Sequence, residues 1–350
     1  MSKLKHFLGC IREYKTSTIL TILLVVGEAA IEVTIPFITA DLINKINGGI
    51  NMSQVLTTGV ILVLLALLSL CFGGLAGFTC SKASAGFAKN LRHDLFQKVQ
   101  TYTFGNIDKF SSSSLVTRMT IDVSNIQMSY MMIIRTAVRS PLMLIFSIIM
   151  AYVMGGGLAT CFVIVVPVLA FGLFLIGKTA MPAFRRVFKK YDKLDESIEE
   201  NVRAMRVVKS FSREDYEKKK FGSAAEDIRK DFTKAERIVA FNSPLMQICL
   251  YFNMVFILLI GSQMTISSFG QTVNIGQISA MLTYGFQILM ALMMLSMIYV
   301  IITMSAESMH RVCQVLEEIP SMENPENPIT EVKDGSIDFN NVNFKYSNKA

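Results

Sequence analysis

Residues 55–78 read VLTTGVILVLLALLSLCFGGLAGF and contain no charged side chain. A helix needs about 20 apolar residues to cross the hydrocarbon core of a bilayer, so this stretch predicts a membrane span. The helical pattern continues beyond it, because Leu91, Leu95, Val99 and Tyr102 recur every three or four residues. The sequence therefore predicts one long helix that crosses the membrane and projects past it, by roughly 39 Å for about 26 residues.

Five other stretches have a similar length and composition. In the whole chain of 350 residues, 52% are hydrophobic and 17% are charged, which is typical of membrane proteins rather than soluble ones. We therefore expect an all-α membrane protein whose six transmembrane helices lie within residues 17–310. The other five spans are expected near residues 18–40, 129–153, 158–177, 239–264 and 278–304.

The distribution of charge predicts the orientation of these spans. The long connections at 79–128 and 178–238 contain six and seventeen Lys or Arg residues, and the N-terminal segment adds four. The three short connections together contain one base, Lys45, and one acid, Asp41. Basic residues favour the cytoplasmic side, so both termini and both long connections are expected there. Membrane orientation therefore explains the net charge of +7 better than a nucleic-acid partner does.

Other local patterns indicate little chemistry. Residues 172–179, GLFLIGKT, match a phosphate-binding loop, but they lie at the end of a predicted span, where helical N–H groups are already hydrogen-bonded. The six cysteines form no C-x-x-C pair, so no disulfide framework or metal site is expected. Residues 1–16 are basic and amphipathic, and they predict an elbow that precedes the first span.

The two long connections resemble the intracellular loops of ABC exporters. Residues 104–127, FGNIDKFSSSSLVTRMTIDVSNIQ, are similar to the first loop, and residues 196–221, ESIEENVRAMRVVKSFSREDYEKKKF, to the second. Ala204 stands where the family usually has glycine, and alanine suits a helix at least as well. The resemblance covers nearly the whole chain. It implies a half-transporter of the multidrug or lipid exporter type in a bacterial plasma membrane.

In that family, a nucleotide-binding domain follows the membrane domain. The resemblance implies that residues 311–334 are a linker and that residues 335–350, GSIDFNNVNFKYSNKA, begin such a domain with a β-strand. Tyr346 matches the position that stacks on adenine; an ordinary buried strand aromatic is the alternative. ATP and Mg²⁺ are expected to bind mainly outside the chain, because it contains no genuine phosphate loop, signature motif or catalytic glutamate. This segment alone is not expected to hydrolyse ATP.

The resemblance also implies a homodimer or heterodimer of half-transporters. The chain reversals at 110–118 and 201–210 would then be coupling helices that seat on the nucleotide-binding domains. The alternative is that their polar side chains only solvate a turn. The expected coupling residues are Ser112, Ser113, Arg118, Val202, Arg203, Met205, Arg206 and Lys209.

Charged residues inside the spans indicate either a substrate cavity or an internal ion pair. Two glutamates in span 1 and two arginines in span 3 are each four residues apart, so each pair shares one helix face. Methionines of span 6 would suit a wall that accepts many shapes, although methionine often only packs. The candidate cavity residues are Glu28, Glu32, Arg135, Arg139, Met290, Met294 and Met297.

These patterns together predict the transmembrane subunit of an ATP-driven exporter that works by alternating access. Its substrates would be amphipathic drugs, lipids or peptides, taken from the cytoplasm or the inner leaflet. Two alternatives remain open from the sequence. One is a siderophore importer of the same fold, and the other is a membrane sensor or channel with helical cytoplasmic levers.

Overall fold

The computed structural model of the chain describes residues 7–271, 273–320, 331 and 334–343, and most of these are helical. The long helices are α1 (Lys15–Asn47), α2 (Met52–Gln100), α5 (Val123–Gly155), α6 (Thr160–Arg203), α8 (Glu214–Ala240), α9 (Asn242–Ser267) and α10 (Ile275–Glu317). Three short helices lie at the two long reversals of the chain: α3 (Phe104–Phe110), α4 (Ser112–Thr117) and α7 (Met205–Ser210).

Helix α2 shows how the sequence pattern becomes structure. It has 49 residues, which is about 74 Å at 1.5 Å per residue. Its most apolar window has a mean hydropathy of 2.7 and no buried residue, whereas Phe87, Leu91 and Leu95 in its second half are buried. An exposed apolar helix surface of this length and composition is typical of a membrane-spanning helix. The first half of α2 therefore faces the membrane, and the second half packs against protein.

Five segments of the described chain are long and apolar enough to cross a membrane, so the protein is a multi-pass membrane protein. One of them, Ser112–Phe184, is 73 residues long and contains two of the six predicted spans. Helix α5 and the first part of α6 lie within it and are joined by a single 3₁₀ turn, Gly156–Ala159. Gly156 has a positive φ of 49°, a conformation that glycine adopts without steric cost and that ends α5.

Helix α10 is the central element of the fold. It packs along α5, α1 and α9, while α6 packs along α8. Two of the buried clusters lie along α10. One surrounds Tyr284 and Ile288 among the apolar parts of the helices. The other joins the ends of α2 and α10 through Leu91, Leu95 and Val312. We call the region that contains this second cluster, together with α3 and α4, the distal end.

The two ends of the described chain differ in their packing against this helical body. Residues 7–9 are helical, and Phe7 and Cys10 of the predicted elbow are buried in the distal cluster. Residues 334–343 lie outside any helix or strand, with Ile337 exposed by 78% and Phe339 by 79%. The β-strand predicted for this stretch is therefore not observed in its described part. A strand needs a partner strand for its hydrogen bonds, and none exists among the described residues. Tyr346 lies outside the described residues.

Candidate functional site

The two glutamates of α1 form an ion pair with one arginine of α5. Nη2 of Arg139 lies 2.6 Å from each carboxylate oxygen of Glu32 and 3.7 Å from Oε1 of Glu28. Glu28 is buried, with 8% of its surface exposed. An internal ion pair between spans 1 and 3 is therefore present, as one of the two interpretations of these residues expected.

Pro36 in α1 leaves a backbone carbonyl free for a polar contact with α10. Pro36 has no backbone N–H, so the carbonyl of Glu32, four residues earlier, loses its helical hydrogen bond. Nε2 of Gln287 donates to that carbonyl at 3.5 Å, and Oε1 of Gln287 accepts from Oγ of Ser147 in α5 at 3.0 Å. No sequence motif indicates Gln287 or Ser147. The spacing between Glu32 and Pro36 was the signal that a donor from another helix was needed here.

The second arginine of α5 has a different environment. Arg135 lies beside Gly77 of α2, where an added Cβ would be 3.4 Å from its Nη1, and a Cβ at Gly73 would be 3.0 Å from Oε1 of Glu28. Glycines on α2 thus leave room for charged side chains of two other helices. Among the described side chains, no carboxylate forms an ion pair with Arg135. Of the four charged residues predicted to lie together, Glu28, Glu32 and Arg139 form one ionic cluster. Arg135 has no acidic partner among the described side chains.

Two of the three predicted methionines have exposed side chains, and the third is half-buried. Met294 is exposed by 38% and Met297 by 54%, while Met290 is half-buried. A cavity of about 540 Å³ does lie against the same helix, between α6 and α10. Its lining includes Lys178 and Tyr299 but none of the three methionines. Their exposure leaves them available to lipid, substrate or another chain.

At the distal end, helix α4 presents hydroxyl groups outward. Ser112 and Ser113 are exposed, and so is Val116, by 61%. Arg118, which was expected to face outward with them, instead turns inward. Its Nη1 donates to the carbonyl of Arg311 at 2.7 Å, and its guanidinium lies 4.9 Å from the ring centre of Phe110.

A fully buried carboxylate joins this region to α10. Asp122 ends a short π-helical turn, Arg118–Asp122, and none of its surface is exposed. It accepts hydrogen bonds from Oγ of Ser308 at 2.9 Å and from Nε of Arg311 at 2.8 Å, with a further contact to Nη2 of Arg311. We call Asp122, Ser308 and Arg311 the distal clamp. In the sequence, Asp122 belongs to the loop motif at residues 104–127, and the motif does not indicate its partners.

The last turn of α10 is also attached to α3. Nζ of Lys109 lies 2.8 Å from both carboxylate oxygens of Glu318, and this hydrogen bond lowers the pKa of Glu318. The hydroxyl of Tyr102 donates to the carbonyl of Val315 at 2.7 Å, and burial raises the pKa of Tyr102 to about 12. The end of α10 is therefore fixed to the first reversal at several points.

The second reversal carries α7 and has the more exposed apolar surface. Val202 is exposed by 63% and Met205 by 41%. The basic residues there pair locally, Arg203 with Glu199 at 2.5 Å and Lys209 with Glu214 at 3.5 Å. Arg206 is exposed. Val202, Met205 and Lys209 line one surface depression together, whereas Arg203 lines a separate one.

Comparisons with known proteins all indicate one family. Residues 18–312 match the family described as the ABC transporter transmembrane region. A Bacillus subtilis protein named an uncharacterized ABC transporter ATP-binding protein is 28% identical over 287 residues, which are 82% of this chain and 50% of that protein. A Mycobacterium tuberculosis protein with the same kind of name is 28% identical over 285 residues, covering 81% of this chain and 48% of the relative.

A third relative carries a more specific name. The ATP-dependent lipid A-core flippase of Pseudomonas fluorescens is 26% identical over 181 residues, which are 51% of this chain and 30% of that protein. The chain spans about half the length of the first two relatives. The match lies within the helical body described above and includes both reversals.

Proposed function

The chain belongs to the ABC transporter transmembrane family, in its exporter branch, and on that basis we propose that it forms the substrate-translocating part of an ATP-driven exporter. ATP and Mg²⁺ would bind mainly to a nucleotide-binding domain, and two such half-transporters would associate as a homodimer or heterodimer. The ATP-binding names of the two longer matches support this assignment. Six spans, with both termini in the cytoplasm, would fit the charge distribution of the long connections.

The observation that carries this proposal is the exposed apolar surface at the second reversal. Val202, Val207 and Phe211 are exposed by 63, 57 and 74%. They lie at the end of α6 and just beyond it, far from the predicted membrane span of that helix. Apolar groups so placed cannot be covered by lipid tails, and an exposed patch of this kind indicates a protein contact. A nucleotide-binding domain is the partner that the family provides, so α7 would act as a coupling helix.

The first reversal would transmit movement through α10. Ser112 and Ser113 on α4 would contact the nucleotide-binding domain, while the distal clamp and the Lys109–Glu318 pair attach the same region to the end of α10. Helix α10 is continuous for 43 residues, about 64 Å at 1.5 Å per residue. A displacement of α4 would therefore move α10 and α5 together and alter the space between the spans, as alternating access requires.

Amphipathic drugs, lipids or peptides remain the proposed substrates, and the name of the Pseudomonas relative favours lipid. The Glu28–Glu32–Arg139 pair would help to shape the path. Because Arg139 pairs with both glutamates and offsets one of their two charges, the full attraction of this site for cationic substrates would require the pair to open. Arg135, which has no paired acid among the described side chains, would be the more accessible charge.

The coupling role can be tested with the full-length protein reconstituted in vesicles. Val202→Asp combined with Met205→Asp should abolish the stimulation of ATPase activity by transported substrate, because two carboxylates cannot enter an apolar contact without a large desolvation cost. Lys219→Asp combined with Lys220→Asp, on exposed positions of α8, is the matched control and should retain stimulation. Full stimulation in the first variant, or an equal loss in both, would refute the coupling role of α7.

A further inference from the structure

The cavity between α6 and α10 has one charged group in an otherwise mainly apolar wall. Leu173 and Phe174 of α6 and Leu292 of α10 supply apolar surface, and Lys178 supplies the charge. Tyr299 adds a hydroxyl group close to the same end of the lining. A site with this composition suits an amphipathic ligand with an acidic end, because a small soluble anion would gain nothing from the apolar wall.

Lys178 is available to such a ligand. It is exposed, and it forms no ion pair with any carboxylate among the described side chains. Lys190, further along the same helix, is already paired with Asp231 at 2.6 Å. Lys178 follows directly after the apolar residues of a predicted span, so its ammonium group would lie at the depth of lipid headgroups.

The helix backbone is also open at this point. Pro182 lines the cavity and has no N–H, so the carbonyl of Lys178 loses its usual helical donor. At Gly177 an added Cβ would meet nothing within 4 Å. The cavity therefore offers a cation, a backbone acceptor and free space within two consecutive residues of α6.

We propose that this cavity holds an anionic phospholipid of the surrounding membrane as a resident ligand. Its phosphate contacts the ammonium group of Lys178, its headgroup hydroxyls can donate to the carbonyl of the same residue, and an acyl chain lies against Leu173 and Phe174. This inference goes beyond the proposed transport function, because the lipid is held rather than carried. A lysine that merely extends to the headgroups would also attract anionic lipid, but filling the groove beside it would not change the quenching.

Tryptophan fluorescence gives a direct test, because the chain contains no tryptophan. Phe174→Trp would add one indole per chain at the cavity of the full-length protein in phosphatidylcholine vesicles, and the signal of the parent protein would be subtracted. Brominated phosphatidylglycerol should quench this indole with an apparent association about fivefold stronger than brominated phosphatidylcholine, since one basic group near anionic lipid contributes on that order. Val163→Trp, on an exposed position of the same helix, is the control and should show no preference.

Two further variants make the result decisive. Adding Lys178→Gln to Phe174→Trp should reduce the preference to about onefold, while Gly177→Leu should fill the groove and weaken quenching by both lipids. A Cβ at Gly177 would meet nothing within 4 Å, and leucine is a better helix former than glycine, so loss of folding is not the expected cause of the effect. Equal quenching by the two lipids in the parent Phe174→Trp protein, or a preference that survives Lys178→Gln, would overturn the proposal.

Discussion

The two charged residues of the distal clamp differ in burial, so mutating each of them alone is a sensitive test of the structure. Asp122 has no exposed surface, whereas the side chain of Arg311 is exposed by 41%. Removing the arginine therefore leaves a carboxylate that water cannot reach. Removing the carboxylate charge leaves an arginine that remains partly hydrated. The two single mutations break the same interaction but should not have the same cost.

The magnitudes follow from what each mutation leaves behind. Arg311→Gln should destabilise the protein by about 3–5 kcal/mol, the usual cost of removing one partner from a buried ion pair. Asp122→Asn keeps an oxygen that accepts from Ser308 and leaves Arg311 in contact with water, so about 1–2 kcal/mol is expected. The double mutant should be more stable than Arg311→Gln alone, because the uncompensated buried charge is gone.

The measurement is the thermal unfolding midpoint of the full-length protein in lipid nanodiscs, taken at one scan rate because membrane proteins commonly unfold irreversibly. Asp122→Asn should lower the midpoint less than Arg311→Gln, with the double mutant between them. Arg229→Gln is the control, since its pair with Glu226 lies on the surface, where water screens the charges, and its loss should shift the midpoint little. If the double mutant were less stable than both single mutants, the burial argument for Asp122 would be refuted.

Two other predictions follow from the ion pairs. Arg139→Gln should destabilise the protein by about 3 kcal/mol, since Glu28 and Glu32 would lose their shared cation; Arg135→Gln should shift the same unfolding midpoint little, and equal shifts would contradict the observed pairing. The pKa of Glu318 is lowered below its ordinary value of 4.5 by its hydrogen bond to Lys109, so its stabilising contribution is complete above pH 4.5 and is lost as pH falls through the lowered pKa. Midpoints measured across this range should fall more steeply in the parent protein than in Glu318→Gln, and parallel curves would count against the contact.

The sequence predicts where most residues of the candidate site lie along their helices, but not which residues they contact. The apolar residues that recur every three or four positions after residue 78 predict the extension of α2, because that spacing buries one face of a helix wherever the helix lies. The same local reasoning places the two reversals where α4 and α7 occur. It also places Glu28 and Glu32 on one face of α1, since four residues are about one helical turn.

The choice of partners could not be read in the same way. The sequence matches the depth of Arg139 to that of Glu28, counted from the outer ends of their spans, but it does not indicate that the shorter contacts of Arg139 are to Glu32. Arg118 stands in a polar loop motif, yet it turns toward α10 because the carbonyl of Arg311 and the ring of Phe110 lie there. These outcomes depend on the rotation and register of helices that are far apart in the chain.

The sequence by itself determined which segments are helical, which of them face lipid and where the chain reverses, because these properties depend on the periodicity and hydrophobicity of neighbouring residues. Tertiary structure alone decided that Asp122 would be buried against Arg311, which is 189 residues away. Residues 334–343 likewise show no strand, because no partner strand lies among the described residues. In both cases the reason is physical: an ion pair or a strand requires a partner at a fixed distance, and local sequence does not specify how distant segments are brought together.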